Sequence, residues 1–288
     1  LALLTRMLAP DFATPGALEK AVRNDRAKGP GLPPKGALKK IRFTDGKRAG
    51  LRTFGATPIT GITSPIKMLY LHGGAFVLDF QSIQWGLVTG LLQRVPGEII
   101  APLYPLGPEA NWSETMDAVH ASYMDLIAQY DPAQVVVCGD SAGGGLSLLL
   151  AQRLRDEGLP LPAALVMFSP CLDISACGAD QPAIEKRDPV LRLSMMKDVA
   201  RMWVQDVPAD DPRVSALFGD QSGLPPSLVF SGDREILDSD ALRLAAKNPE
   251  VVHRHYPEMQ HVWPVSPLKE GKQALDEAAA FMLHYASG

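Results

Sequence analysis

The run Gly139-Asp140-Ser141-Ala142-Gly143 constrains this chain more than any other five residues in it. It reads G-x-S-x-G, with a short apolar stretch before it, residues 134–138, and a long helical one after it, residues 144–155. A buried strand that turns sharply into a helix around a serine holds the hydroxyl clear of the backbone at the end of a sheet. Glycines flank the serine because side chains there would collide with the neighbouring strand and helix. The start of the helix behind it offers unpaired N–H groups and the positive end of a dipole, which suit an oxyanion. Ser141 is therefore the candidate nucleophile.

The rest of the chain supplies the sheet such a turn needs. Residues 41–44 and 50–54 read as a hairpin, and 66–71, 98–103, 164–168, 227–232 and 251–256 as further strands. Helices are expected at 17–27, 112–130, 194–206, 237–247 and 269–285. In the second of these, Met116, Val119, Tyr123, Leu126 and Ile127 recur at helical spacing. Strands alternating with helices imply an α/β fold with a mainly parallel sheet covered on both faces. The alternation breaks between residues 173 and 217. The expected organisation is a catalytic domain over 41–174 and 216–288, with a helical cap from residues 1–40 and an insertion at 175–215.

His72-Gly73-Gly74-Ala75 follows directly on the strand ending at Leu71. Cleaving an ester builds negative charge on the carbonyl oxygen, and glycines let backbone N–H groups approach it. The expected oxyanion hole is the N–H groups of Gly73, Gly74 and Ala142, with His72 anchoring the loop. A serine also needs a base, and histidine is the side chain tuned for neutral pH. Of six histidines, His120 and His284 fall inside helices, and His253 and His255 share one face of a strand. His261 lies in a loop past the last strand, at the sheet edge where it reaches over Ser141. In this arrangement the acid lies between serine and histidine in the chain and follows a strand. Asp233 and Glu235 both qualify, while Asp238 and Asp240 read as carboxylates at a helix start.

Composition narrows the partners. With 28 basic and 32 acidic residues the net charge is −4, which favours neither nucleic acid nor an anionic membrane surface. No apolar run approaches the roughly 18–20 residues of a membrane span. Leu1-Ala2-Leu3-Leu4 is too short for the apolar core of a signal sequence; the expected cytoplasmic location comes from the cysteines, read as free thiols of a reducing compartment. Cys138, Cys171 and Cys177 are an odd set that reads as free thiols, and no Cys/His cluster has zinc spacing.

The pair His72-Gly73-Gly74-Ala75 and Gly139-Asp140-Ser141-Ala142-Gly143-Gly144 resembles the hormone-sensitive-lipase family of α/β-hydrolases, in its bacterial esterase branch. Tyr104 to Glu109 is similar to that family's Y-R-L-A-P-E segment, and Ser169-Pro170-Cys171-Leu172-Asp173 to its S-P-x-x-D. Leu224-Pro225-Pro226 and Met259-Gln260-His261-Val262-Trp263 also fit. The resemblance implies an α/β-hydrolase fold and an esterase for short to medium acyl esters of small molecules, without cofactor or metal. It matches His261 to the family's histidine. It aligns the family's D-P-L on Glu235-Ile236-Leu237, favouring Glu235 over Asp233 as the acid. A homodimer through residues 251–256 and 269–285 is a further expectation from it. Three positions depart: Ala75 replaces a third glycine, Gly107 the alanine of Y-R-L-A-P-E, and Pro105 its arginine, removing a charge that ties down a neighbouring loop. Candidates to line the substrate pockets are Phe12, Phe76, Met195, Met196 and Trp203. A lactone hydrolase or amidase would use the same groups, and a small-molecule receptor would keep the fold without turnover.

Overall fold

The computed structural model describes Thr14 and residues 16–286. Its centre is an eight-stranded sheet: β1 (Ile41–Arg48), β2 (Leu51–Pro58), β3 (Lys67–Leu71), β4 (Glu98–Pro102), β5 (Val135–Asp140), β6 (Ala164–Phe168), β7 (Ser227–Arg234) and β8 (Val252–Gln260). The strand order is β1-β2-β4-β3-β5-β6-β7-β8. Strand β2 pairs antiparallel with both β1 and β4, and every pair from β4 through β3 to β8 is parallel.

Apolar runs of period two explain why both faces are covered. On β5, Val135 and Val137 enter one core while Val136 and Cys138 enter the other. On β3, Leu69 and Leu71 face the first core, and Met68 and Tyr70 the second. The first face is covered by α1 (Ala17–Lys28), α4 (Trp112–Ile127), α5 (Ala142–Asp156) and α8 (Asp238–Lys247). The second is covered by α2 (Lys35–Leu38), α3 (Trp85–Leu92) and α9 (Lys269–Ala286). Among the described residues no helix is long and apolar enough to cross a membrane.

Two elements differ from expectation. Helix α3, Trp-Gly-Leu-Val-Thr-Gly-Leu-Leu, is buried at seven of its eight positions, so it carries no polar face to give a helical period. The helix expected over 194–206 is α7 (Leu193–Val199) followed by a wider π-helical turn, Ala200–Val204. Gln205 closes that turn with φ 63°, its N–H reaching back to the Ala200 carbonyl at 3.1 Å. The 175–215 insertion also carries α6 (Gln181–Glu185).

Candidate active site

The strand–turn–helix expected around Ser141 is formed by β5 and α5. Ser141 sits at φ 54°, ψ −120°, a conformation that costs a side-chain-bearing residue roughly 1–3 kcal/mol. Its N–H donates to the Phe168 carbonyl at 2.9 Å, and its own carbonyl accepts from Cys171 N–H at 3.0 Å. A Cβ on Gly143 would lie 1.9 Å from the Leu71 carbonyl oxygen, so only glycine lets α5 start this close to β3.

His261 directly follows β8. Its Nε2 lies 2.9 Å from Ser141 Oγ, and its Nδ1 lies 2.6 Å from Glu235 Oε2. The other oxygen, Glu235 Oε1, accepts from Gly232 N–H at 3.0 Å and from the Ser169 hydroxyl at 2.8 Å. Ser169 in turn accepts the Val262 N–H at 3.0 Å, so one hydroxyl ties the carboxylate to the backbone beside His261. Glu235 is fully buried, and burial pushes its carboxyl up against the pull of the imidazole and of these donors. Burial works against a charged His261, but its bond to the Glu235 carboxylate and the nearby charges of Asp188 and Asp140 outweigh that and raise its pKa.

Asp233, the alternative acid, is turned elsewhere: its carboxylate accepts the Glu258 N–H at 2.7 Å and braces the end of β8. Asp238 and Asp240 do open α8, but Asp240 is also a buried tether, accepting from the N–H groups of Leu172 and Asp173 at 3.0 Å each. His72 is buried and stacked on Tyr104 at 4.3 Å, as an anchor of its loop.

The expected oxyanion hole needs one correction. Gly73 N–H donates to Asp140 Oδ1 at 3.0 Å, so it is spent holding the loop. The same carboxylate accepts from Tyr70 Oη at 2.5 Å and from Gln84 Nε2 at 2.9 Å. The next two residues, Gly74 and Ala75, take positive φ of 131° and 54° as the chain turns over Ser141. Among the described residues the N–H groups of Gly74, Ala75 and Ala142 meet no protein acceptor.

A cavity of about 420 Å³ opens beside Ser141, with Gly74, Ala75 and His261 in its wall. Leu18 of α1 and Val190, Leu191 and Met195 of the insertion close it from above. A family model described as the alpha/beta hydrolase fold matches residues 68–265. The chain belongs to the α/β-hydrolase family. Its motifs put it in the hormone-sensitive-lipase branch. It is 35% identical to an acetyl-hydrolase of Streptomyces hygroscopicus over 225 residues, 75% of this chain and 74% of the relative. It is 33% identical to an esterase of Acinetobacter venetianus over 222 residues, 74% of this chain and 73% of the relative. Among solved structures, an esterase/lipase from an uncultured bacterium superposes with a TM-score of 0.89 at 25% identity, covering 100% of this chain and 97% of its own.

Of the residues expected to line pockets in this α/β-hydrolase, Met195 borders both the large cavity and a smaller cleft that also reaches Ser141, while Phe76 and Met196 border the cleft alone. Trp203 borders neither; it stacks on Phe76 at 4.0 Å and donates its indole N–H to Thr115 Oγ1. Phe12 lies outside the described residues. The charge missing at Pro105 is supplied by Arg26 of α1, whose guanidinium bonds the Gly107 carbonyl at 3.0 Å and Glu109 at 2.9 Å. Sequence reasoning assigned no role to Ser169, Asp140, Gln84 or Asp188. Ser169 and Asp140 lie inside the S-P-x-x-D and G-x-S-x-G motifs, and Asp188 before a proline that marks a break; Gln84 carries no signal in the sequence. Among the described residues no group of His, Cys, Asp or Glu has the arrangement to hold a metal ion.

Proposed function

We propose that this carboxylic ester hydrolase is a serine esterase acting on short- to medium-chain acyl esters. The observation that carries the reading is the continuous line of hydrogen bonds from Glu235 through His261 to Ser141, open on one side to an apolar cavity. His261 Nε2 takes the hydroxyl proton as Ser141 Oγ attacks the ester carbon. Negative charge collects on the carbonyl oxygen, which the free N–H groups of Gly74, Ala75 and Ala142 receive. The C–O bond to the alcohol breaks, and His261 returns its proton to the departing oxygen. Water, deprotonated by the same imidazole, then attacks the acyl-enzyme; the acid leaves and Ser141 regains its proton. Glu235 holds the imidazole in the tautomer with Nε2 free and stabilises its cation.

The cap reading rests on α1 and the 175–215 insertion bordering the cavity; α2, by contrast, packs on the far face with the catalytic domain. The homodimer reading has support in β8 being an edge strand. Hydrolysis of p-nitrophenyl esters from acetate to palmitate, wild type beside Ser141→Ala, tests the function. Turnover of the shorter esters is expected in the wild type, with a loss of about 10³-fold or more in the variant. A variant as fast as wild type would remove Ser141 as nucleophile.

A further inference from the structure

We propose that the site is divided unequally about Ser141, so that within the short- to medium-chain range it favours esters of a two-carbon acyl group with a large, uncharged, apolar alcohol. The proposal rests on the serine-esterase reading above. In the tetrahedral intermediate the reacting carbon carries four groups, and three of their directions are already assigned. One is Ser141 Oγ. The oxyanion points to Gly74, Ala75 and Ala142. The alcohol oxygen must lie toward His261 Nε2, because that nitrogen returns its proton. The acyl substituent takes the remaining direction.

Two cavities meet at the serine. The larger, about 420 Å³, has both His261 and Gly74 in its wall, so it receives the alcohol. The smaller, about 10 Å³, shares Ala75, Ser141, Leu191 and Met195 with the larger but has neither His261 nor Gly74 in its wall, and is left for the acyl substituent. That is room for about one water-sized group, the size of a methyl. Phe76, Met196, Val199 and Leu237 close it, all buried. The Phe76 ring is pinned by its stack on Trp203, and Trp203 by its bond to Thr115 at 2.9 Å, so this wall is part of the core rather than a gate.

The large side has the opposite character. Leu18, Leu78, Ile83, Val190, Val262 and Val265 line it, and among the described residues neither lysine nor arginine does. The carboxylate in its wall, Asp140, is engaged by Tyr70, Gln84 and Gly73. Beyond Ser141, Asp140 and His261, its polar side chains among the described residues, Gln81, Gln84, Gln260 and Ser266, carry no charge, and much apolar surface is available to a bulky alcohol.

Two isomeric esters separate the sides. 2-Phenylethyl acetate carries the ring on the alcohol, and methyl 3-phenylpropanoate carries it on the acid; both release a primary alcohol. The expected kcat/KM for the acetate is about 100-fold or more above that of the reversed ester. Met196→Ala, which enlarges the small cleft, should raise the rate on the reversed ester and narrow that ratio. Equal rates, or a faster reversed ester, would overturn the division of the site. Inertness of the folded wild type toward both isomers would instead overturn the esterase reading, and the division with it.

Discussion

Glu235 and Asp233 leave the same strand two positions apart and end in different places. Plain alternation along a strand would send both side chains to one side. The pairing of β7 with β8 is instead irregular between Gly232 and Arg234, and the chain turns there. Asp233 remains beside β8 and takes the Glu258 N–H, while Glu235 folds back under His261. Chain order narrowed the acid to these two but did not rank them; only the resemblance did. Glu235→Gln should lower kcat by about 10²–10⁴-fold, because a neutral amide neither fixes the tautomer nor stabilises the imidazolium. Asp233→Asn should leave kcat near the wild-type value. Steady-state rates on one ester check both, and the reverse ranking would move the acid to Asp233.

At the scale of elements, a short stretch of the insertion is wired to the acid loop. Asp188, buried between α6 and α7, accepts the N–H groups of Val190 at 2.8 Å, Leu191 at 2.9 Å and Ile236 at 2.9 Å. Leu191 borders the large cavity and Ile236 follows Glu235, so one carboxylate couples the pocket wall to the catalytic loop. Burial pushes the Asp188 carboxyl up, against the pull of these N–H groups and of His261. Asp188 is also one of three carboxylates that raise His261, with Glu235 and Asp140. A base must be neutral to act, so kcat/KM falls as pH drops through the His261 pKa. Asp188→Asn removes a negative charge that favours the imidazolium, which lowers that pKa. The acid limb of the pH–rate profile should therefore move to lower pH; an unmoved or raised limb would refute the coupling.

Over the whole molecule, the N-terminal helix reaches the site by a relay of polar contacts. Asp25 of α1 accepts Gln81 Nε2 at 2.6 Å and the Asp79 N–H at 2.8 Å. Gln84 accepts the Gln81 N–H at 2.7 Å and donates to Asp140 beside Ser141. Hydrogen bonds to a charged group are worth about 1.5–3 kcal/mol each. Asp25→Ala should loosen α1 and its Leu18 from the cavity roof, raising KM several-fold with kcat little changed; an unchanged KM would show that α1 docks without this carboxylate. By itself the sequence determined what depends on near neighbours in the chain. The strand–serine–helix turn, the apolar alternation of the strands and the glycines that permit close approach are all local patterns, so the sheet, the candidate nucleophile and a short list of candidate bases and acids were legible. Tertiary structure decided what depends on contacts between distant segments. It spent the Gly73 N–H on Asp140, sent Trp203 into the core behind Phe76, brought Arg26 to the loop that Pro105 left without a charge, and set Ser169 between Glu235 and Val262. A hydrogen bond depends on distance and direction in space, and the order of residues along a chain carries neither.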